Sequence, residues 1–155
     1  MRKILTLAYL LKDDKICLAM KKRGFGEGYL CGYGGKIEAG ETIINAAVRE
    51  IDEESSVAVA VTDLEKIAVI EFFFKDGKHL EVHTYFVNTW EGEPEETEEM
   101  RPEWFLYNDI PYEKMWADDI HWLPFALRGG KFTGRVWFKE DGKSIEKMEW
   151  TPTTF

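Results

Sequence analysis

Three glutamates near the end of one predicted helix are the residues best suited to chemistry. The segment REIDEESS, residues 49–56, places four carboxylates in eight positions. Glu50, Glu53 and Glu54 stand at i, i+3 and i+4, so they share a helical face where like charges repel by about 0.2–0.5 kcal/mol per pair. The C-terminal end of a helix also disfavours anions. A divalent cation would reverse both penalties, so the spacing indicates a metal site; the alternative is a solvated acidic surface partly paired with Arg49.

A glycine-rich loop, RGFGEGYLCGYGGKIEAGE over residues 23–41, directly precedes this helix. Loops of this length in a small domain are usually functional. Backbone N–H groups in such a loop can bind phosphate when cations stand nearby, and the cations here are Lys21, Lys22, Arg23 and Lys36. A Walker A motif would need glycine at Leu30 and Ser or Thr at Ile37, and the dinucleotide fingerprint should open a helix directly after its glycines. Neither pattern fits.

The rest of the chain alternates hairpins with helices. The Thr42 hydroxyl is placed to cap a helix that runs to about Ser55, and the apolar face of this helix is expected to hold Ile43, Ala46, Ala47 and Ile51. Polar turns at 12–14, 75–78 and 141–143 predict three hairpins. RPEWFLY is typical of a strand, PYEKM of a short helical turn, and residues 118–127 of a second helix. This mixture predicts a single α+β or mixed-sheet α/β domain over residues 1–155, with helices covering the sheet.

The composition narrows the possible partners and the compartment. The net charge of −9 and the pI of about 4.9 disfavour a nucleic-acid polymer or an anionic membrane as partner. Two cysteines are too few for a disulfide framework, which predicts a reduced, cytoplasmic environment. The apolar run ILTLAYLL is too short to span a bilayer and no cleavage site follows it. We therefore expect a cytoplasmic protein, monomeric, with a small-molecule ligand.

The segment GGKIEAGETIINAAVREIDEESSV resembles the Nudix box, a long pattern with many fixed positions. The matching positions are Gly35, Glu41, Arg49, Glu50, Ile51, Glu53, Glu54 and Val57. Only the last glycine of the pattern departs, because Ser56 stands where that glycine usually ends the helix. The resemblance implies an α/β/α sandwich with a mixed β-sheet between helices.

The resemblance also implies roles for the acidic residues. Glu50, Glu53 and Glu54 are expected to bind Mg²⁺, with Mn²⁺ as an alternative, and Glu54 or a neighbour to help activate water. Gly34 is expected to offer its carbonyl to the metal. Glu99 in the acidic loop EGEPEETEE corresponds to an additional carboxylate near the metals, whereas its neighbours Glu91, Glu93, Glu95 and Glu96 are expected to be solvated and the role of Glu98 stays open. Arg49 and Glu41 are expected to form an ion pair that orients the glycine loop.

Further segments resemble the oxidised purine nucleoside triphosphatases, which are MutT homologues. These segments are MKKRGFGEG, EEMRPEWF, MWADD and KFTG, spread over nearly the whole chain. The resemblance implies hydrolysis of 8-oxo-dGTP or 2-hydroxy-dATP to the monophosphate and pyrophosphate, which cleans the nucleotide pool. It places the substrate-binding positions at Thr6, Lys21, Phe25, Cys31, Tyr33, Gly34, Gly35, Lys36, Trp116, Asp118 and Asp119.

The segment MWADD supports a base pocket on its own chemistry. Trp116 offers a flat face for a purine, and stacking of a base on an aromatic ring is worth about 1–3 kcal/mol. Asp118 and Asp119 can contact the exchangeable edge of a purine, and two close carboxylates often share a proton. A shared proton would let the pair both donate and accept. The alternative is that Asp118 only caps the second helix and Trp116 belongs to the core.

Cys31 is the main departure from the subfamily, whose best-known members carry Asn at this position. A thiol is a weak donor and a weak acceptor. This keeps one alternative open, a Nudix pyrophosphatase for another nucleoside diphosphate derivative or for unmodified or methylated purine triphosphates. A non-catalytic nucleotide- or protein-binding Nudix module is a third reading, and the intact set of Glu50, Glu53 and Glu54 argues against it. His79, His83 and His121 have no ligand spacing on the predicted elements, and no histidine partner is indicated for Cys31 as a nucleophile.

Overall fold

Eight strands and two α-helices make up the computed structural model, which describes residues 1–155. In chain order they are β1 (Arg2–Lys12), β2 (Lys15–Lys21), β3 (Leu30–Cys31), α1 (Ile43–Ser55), β4 (Leu64–Phe73), β5 (His79–Val87), β6 (Met100–Leu106), α2 (Asp119–Leu127), β7 (Phe132–Phe138) and β8 (Ile145–Pro152). Short 3-10 turns span Val61–Asp63, Tyr107–Asp109 and Tyr112–Lys114. The three predicted hairpins are confirmed as β1–β2, β4–β5 and β7–β8.

The strands form one mixed sheet in the order β3-β2-β1-β5-β4-β7-β8. Strand β6 pairs with β2 along the edge opposite to the one that β1 and β3 share. β1 runs parallel to β5 and β4 runs parallel to β7, whereas the hairpin neighbours are antiparallel. Neither helix is long and apolar enough to cross a membrane. The predicted α/β architecture with a mixed sheet is therefore confirmed.

Alternate residues of the central strands bury against different helices, because successive side chains of a strand point to opposite faces. On β1, Ala8 and Leu10 pack in one core with residues of α1, whereas Tyr9 and Leu11 pack in a second core with residues of α2. Trp122 of α2 contacts Tyr9 edge-on, with ring centroids 6.2 Å apart. The sheet is thus covered by α1 on one face and by α2 on the other.

The glycine-rich segment is inserted into the sheet, which sequence inspection did not anticipate. β1 and β2 pair only beside their turn. Farther along, Cys31 pairs with Ala19 of β2, and residues 33 and 36 form isolated bridges to β1. A Cβ on Gly34 would collide with the carbonyl oxygen of Thr6, and one on Gly32 would lie 2.6 Å from the carbonyl oxygen of Ala8. The glycines are therefore required by close backbone approach.

Helix α1 begins and ends as its sequence suggests, with one strained residue. The Asn45 N–H donates to Thr42 Oγ1 at 3.2 Å, which confirms the predicted cap. Ser56 follows the helix in the left-handed conformation, with φ of 65° and ψ of 22°, and its N–H donates to the Asp52 carbonyl at 2.8 Å. That conformation costs a non-glycine residue about 1–2 kcal/mol. Ser55, whose hydroxyl donates to the Ile51 carbonyl and accepts from the Val57 N–H, helps to hold this exit.

Candidate active site

A pocket of about 930 Å³, its open mouth included, lies on the face of the sheet that α2 also covers. Its floor consists of alternate residues from three adjacent strands: Leu5, Leu7 and Tyr9 of β1, Leu80, Val82 and Thr84 of β5, and Ile70 and Phe72 of β4. Lys21, Phe25, residues of the glycine segment and the start of α2 complete the lining. Glu54 and the Asp118–Asp119 pair both line this cavity, so it contains two groups of carboxylates; we call the surroundings of Glu54 its acidic end and those of the pair its opposite end.

Glu54 forms the inner part of the acidic end. Its side chain is buried, and its Oε1 accepts a hydrogen bond from the Gly34 N–H at 2.8 Å. Burial, together with the charges of Glu50 and Glu99, raises the pKa of Glu54 to about 7, against the opposing effects of Gly34 and Lys21. A carboxylate with such a pKa can exchange a proton near neutrality.

Arg49 organises the outer part of the acidic end. Its guanidinium binds both oxygens of Glu41, at 2.7 and 3.0 Å, and donates to the Lys36 carbonyl at 3.1 Å. It also donates to Glu50 at 2.9 Å and to the exposed Glu53 at 3.1 Å. Arg49 therefore ties α1 to the glycine segment, and its hydrogen bonds reach three carboxylates but not that of Glu54.

Close approach also explains the glycine at position 35. A Cβ on Gly35 would lie 2.6 Å from Glu50 Oε1. Burial raises the pKa of Glu50, although its hydrogen bond to Arg49 opposes the shift. Any side chain at position 35 would displace the Glu50 carboxylate, so this glycine keeps the carboxylate close to the backbone of the segment.

The acidic loop after β5 carries Glu99 to the same region. The Thr97 hydroxyl donates to the Glu54 carbonyl at 3.0 Å, and the Glu95 N–H donates to the Ser55 carbonyl at 2.9 Å. Glu99 accepts from Arg23 Nε at 2.8 Å, and this hydrogen bond lowers the pKa of Glu99. The loop is thus docked onto the end of α1. Its other glutamates are exposed as expected, although one of them, Glu96, pairs with Lys22 at 2.7 Å.

The chemistry of the acidic end fits a hard divalent cation. Its donors are the carboxylates of Glu50, Glu54 and Glu99, and the charges of Glu50 and Glu99 act on Glu54 to raise its pKa. Carboxylate and carbonyl oxygens are the ligands that Mg²⁺ prefers. No group of three or more His, Cys, Asp or Glu residues stands in ready metal-binding geometry. Arg49 and Gly34 hold the α1 carboxylates in separate hydrogen bonds.

The glycine segment was expected to bind phosphate through its N–H groups, but three of these groups already donate hydrogen bonds within the protein. The Tyr33 N–H donates to the Ala8 carbonyl at 2.8 Å and the Ile37 N–H to the Ile4 carbonyl at 3.4 Å. The Gly34 N–H is occupied by Glu54. These donors hold the segment against β1 and α1, so its role here is to position the carboxylates.

Asp118 and Asp119 lie at the opposite end of the cavity, and both are buried. Asp118 Oδ2 accepts from Trp122 Nε1 at 2.8 Å, and Asp118 Oδ1 has no hydrogen-bond partner. Burial raises the pKa of both carboxyls, and the charge of Asp118 helps to raise that of Asp119 well above its usual range. Asp118 occupies the N-cap position of α2, but its carboxylate makes no hydrogen bond to the helix backbone. Helix capping alone does not account for the pair.

Trp116 lines the pocket as part of an aromatic cluster. Tyr29 stacks on it with ring centroids 4.7 Å apart and an interplanar angle of 23°. Phe25 lies tilted against it at 5.3 Å, and Phe74 and Phe138 contact it edge-on. One indole face is therefore covered by Tyr29.

Cys31 and Lys21 lie between the two ends. Burial raises the pKa of the Cys31 thiol to about 12, with further contributions from the charges of Glu54 and Asp119. Cys31 is therefore a neutral thiol near neutral pH, which is unfavourable for a nucleophile. Lys21 borders the pocket, and its charge lowers the pKa values of Cys31 and Glu54. It is the cation placed to meet a negatively charged ligand along the cavity.

The structure brings most of the sequence-predicted positions to one cavity. Those that border it are Thr6, Lys21, Phe25, Cys31, Gly34, Gly35, Glu54, Trp116, Asp118 and Asp119. Tyr33 instead lies in the core beneath α1, with its hydroxyl 3.7 Å from Cys17 Sγ, and Lys36 is exposed. His79 and His83 pair with Glu71 and Glu81 and alternate along β5 with the pocket-lining residues, which places them on the other face.

Sequence reasoning missed the floor of the pocket. Tyr9 and Thr84 are its polar members, and the Thr84 hydroxyl is buried without a hydrogen-bond partner. The hydroxyl of Thr6, which also lines the cavity, is likewise buried without a hydrogen-bond partner. Strand alternation identifies which residues share a face, but it does not distinguish a face that packs a core from one that lines a cavity.

Comparison with known proteins agrees with this geometry. A model of the NUDIX domain matches residues 1–126. The oxidized purine nucleoside triphosphate hydrolase of Danio rerio is 44% identical over 144 residues, which cover 92% of this chain and 90% of that protein. The Mus musculus protein of the same name is 41% identical over 139 residues, which cover 89% of this chain and 88% of that protein. A MutT protein from Bacillus halodurans shares the fold, with a TM-score of 0.82 at 23% identity over 96% of this chain and 97% of its own. The chain therefore belongs to the Nudix hydrolase family.

Proposed function

We propose that this protein hydrolyses oxidised purine nucleoside triphosphates, such as 8-oxo-dGTP or 2-hydroxy-dATP, to the monophosphate and pyrophosphate. The observation that carries the proposal is the single cavity that is lined both by Glu54 and by the buried Asp118–Asp119 pair. A nucleotide has the same polarity, with phosphates at one end and a hydrogen-bonding base at the other. The identity to relatives named as oxidized purine nucleoside triphosphate hydrolases supports this substrate class.

The acidic end is proposed to hold Mg²⁺, with Mn²⁺ as an alternative. Its ligands would be Glu50, Glu53, Glu54 and Glu99 with the Gly34 carbonyl. When bound, the ion polarises phosphate oxygens and lowers the pKa of a water in contact with it.

The residues of the chain contribute positioning and proton transfer. Gly34 occupies Glu54 Oε1, so Glu54 Oε2 is the oxygen free to take a proton from an attacking water. The raised pKa of Glu54 belongs to the metal-free protein, and a cation bound beside it would favour the carboxylate form that accepts a proton. Arg49 fixes the glycine segment through Glu41, and Lys21 brings a positive charge to the cavity.

The opposite end is proposed to recognise the base. Because burial and mutual repulsion favour one proton on the Asp118–Asp119 pair, the pair offers an O–H donor together with carboxylate acceptors. Such a pair can meet the different edges of two oxidised purines. Phe72, Phe74 and Phe138 surround this end with apolar surface and exclude water from it.

Cys31 favours a second candidate in which the chemistry is the same and the base differs. Its thiol borders the pocket where the subfamily's best-known members have an amide, and a thiol pairs weakly with an exocyclic oxygen. Unmodified or methylated purine triphosphates, or another nucleoside diphosphate derivative, are the substrates of this second candidate.

A hydrolysis panel with Mg²⁺ tests the proposal. The substrates are the normal purine triphosphates, 8-oxo-dGTP, 2-hydroxy-dATP, an N-methylated purine triphosphate and a pyrimidine triphosphate. The expected result is pyrophosphate and monophosphate release with the highest kcat/KM for an oxidised purine. A higher kcat/KM for an unmodified or methylated purine would favour the second candidate. No turnover of any triphosphate would refute the first candidate and leave only a nucleoside diphosphate derivative in the second.

A further inference from the structure

Tyr9 is a polar group in the pocket floor that the mechanism above does not use. It lies in β1, pairs in register with Phe86 of β5, and its side chain is fully buried. Its ring contacts Phe86 and Trp122 edge-on, with centroids 6.2 Å away in each case. On another side it meets the glycine segment, where a Cβ on Gly32 would lie 3.1 Å from Tyr9 Cε1. Core packing therefore fixes the position of the hydroxyl.

Tyr9 lines the same cavity as Cys31 and the Asp118–Asp119 pair, whose surroundings form the proposed base end. After burial, the charges of Asp119, Cys31 and Asp118 contribute most to raising the pKa of Tyr9, and a hydrogen bond from the Gly32 N–H opposes them. The phenol is therefore neutral and keeps its proton for donation. The other residues of the β1 floor, Leu5 and Leu7, have no polar side-chain atom, so Tyr9 is the hydrogen-bonding group of this strand's floor.

Trp122 links Tyr9 to the carboxylate pair. Its Nε1 donates to Asp118 Oδ2 at 2.8 Å, and its ring contacts Tyr9. Tyr9, Trp122 and Asp118 therefore form one packed unit at the base end of the cavity. A ligand that reaches the carboxylates also comes within the polar surroundings shared by Tyr9 and Cys31.

We propose that Tyr9 is a specificity-determining residue whose hydroxyl hydrogen-bonds the polar edge of the purine beside Cys31. A tyrosine hydroxyl both donates and accepts, whereas the neighbouring thiol does both weakly. Tyr9 thus supplies, from the adjacent strand, the hydrogen bond that position 31 lacks. This inference rests on the proposed function, because it assigns the base contact of the same cavity.

The substitution Tyr9→Phe tests the inference, because it removes the hydroxyl and keeps the ring that packs on Phe86 and Trp122. For the preferred purine triphosphate, kcat/KM is expected to fall about tenfold, which corresponds to one lost hydrogen bond. The loss should be in KM, with kcat within about twofold, because the Glu54–Gly34 hydrogen bond lies at the other end of the cavity. A pyrimidine triphosphate should lose less.

Tyr85→Phe is the matched control. Tyr85 is a buried tyrosine of the neighbouring strand, and it belongs to the core beneath α1, on the opposite face of the sheet. The substitution Tyr85→Phe should leave kcat/KM unchanged. Thermal unfolding of both variants verifies that the core is intact. An equal effect of the two substitutions on kcat/KM for the purine would overturn the role of Tyr9.

A coupling measurement sharpens the test. Cys31→Asn adds an amide beside Tyr9, so Tyr9→Phe should cost less in that background than in the natural one. Additive effects would show that the two positions do not contact the same edge of the base. They would overturn the proposal that Tyr9 supplies the hydrogen bond that position 31 lacks.

Binding of dGMP and 8-oxo-dGMP by calorimetry separates failure of this inference from failure of the proposed function. If the protein turns over no purine triphosphate but binds a monophosphate, a tenfold weaker Kd in Tyr9→Phe alone still supports Tyr9. If turnover occurs and neither Kd nor KM changes in Tyr9→Phe, the function stands and Tyr9 does not read the base. If neither monophosphate binds and no triphosphate is hydrolysed, both are overturned.

Discussion

The acidic end and the base end of the cavity are built in contrasting ways. The acidic end comes largely from one stretch of chain, with Gly34, Gly35, Glu41 and Arg49 grouped around the carboxylates of α1. The base end combines side chains from β1, β4, β5, the glycine segment and α2. The proposed hydrolytic site is thus built by a local motif, whereas the proposed base site depends on tertiary packing.

The two ends also raise the pKa of a carboxyl to different extents. Glu54 retains a backbone N–H donor and the nearby positive charge of Lys21, and these limit its shift. Asp119 is buried beside Asp118, and the repulsion between them adds to the effect of burial. We therefore expect Glu54 to accept a proton near neutral pH and Asp119 to keep its proton. Four predictions test this contrast.

Glu54→Gln tests the acidic end and should have the largest effect. It keeps the shape and the acceptor for the Gly34 N–H but removes the basic oxygen. Loss of general-base function is expected to reduce kcat by about 10²–10⁴-fold, with a modest change in nucleotide binding. Single-turnover kinetics and calorimetry measure the two effects. Asp52→Asn, an exposed position on the same helix, is the control, and unchanged turnover in Glu54→Gln would exclude a catalytic role for Glu54.

The pH dependence of stability tests the same end without a substrate. In metal-free protein the Glu54 pKa is about 7, above its ordinary value of 4.5, so the folded state holds this proton more tightly than the unfolded state. The resulting stabilisation is complete below about pH 4.5 and is lost as the pH rises through about 7, a change of about 3 kcal/mol. Urea unfolding in EDTA across this range measures it.

The matched variant for this measurement is again Glu54→Gln. Its stability should fall less steeply with pH than that of the natural protein, and Mg²⁺ should offset the fall only in the natural protein. The Asp118–Asp119 pair contributes in the same direction, since the pKa of each is raised, so some slope should persist in the variant. Identical slopes in the two proteins would contradict the assignment to Glu54.

Asp119→Ala tests the base end. Removal of its hydrogen bonds to the base is expected to reduce kcat/KM for purine triphosphates by about 10- to 100-fold, mainly through KM. Steady-state kinetics with purine and pyrimidine triphosphates measure the effect. A loss of equal size for both classes of base would place Asp119 outside base recognition.

Cys31→Asn should have the smallest effect and concerns selectivity. The amide adds a donor and an acceptor beside the base, so the ratio of kcat/KM for 8-oxo-dGTP to that for dGTP should rise by about 3- to 10-fold. Cys17→Ser is unsuitable as a control because Cys17 is buried in the core. Asp52→Asn again serves, and a ratio that stays constant would show that position 31 does not contact the base.

Sequence reasoning succeeded where the determinants are local. The Thr42 cap, the extent of α1 and the three hairpin turns follow from residue types within a few positions. The Nudix resemblance brought together residues that the structure also places near one another, including the bidentate Arg49–Glu41 pair.

The parts that escaped prediction depend on contacts between distant segments. The stacking of Tyr29 on Trp116 joins residues far apart in sequence, and no periodicity signals it. Tyr9 and Thr84 have the alternation of ordinary core residues, so only the three-dimensional structure shows that they line a cavity. The insertion of the glycine segment between β1 and β2 was equally invisible, because two isolated bridges leave no hydrophobic pattern.

That inserted segment sets a fixed length inside the molecule. Gly34 touches the backbone of β1 on one side and donates to Glu54 on another, and no rotatable side chain lies between them. The position of the Glu54 carboxylate relative to β1 is consequently set by the backbone of the segment and by one hydrogen bond. Because glycine has no side chain, a change of rotamer at position 34 cannot adjust the room that this backbone leaves for a ligand.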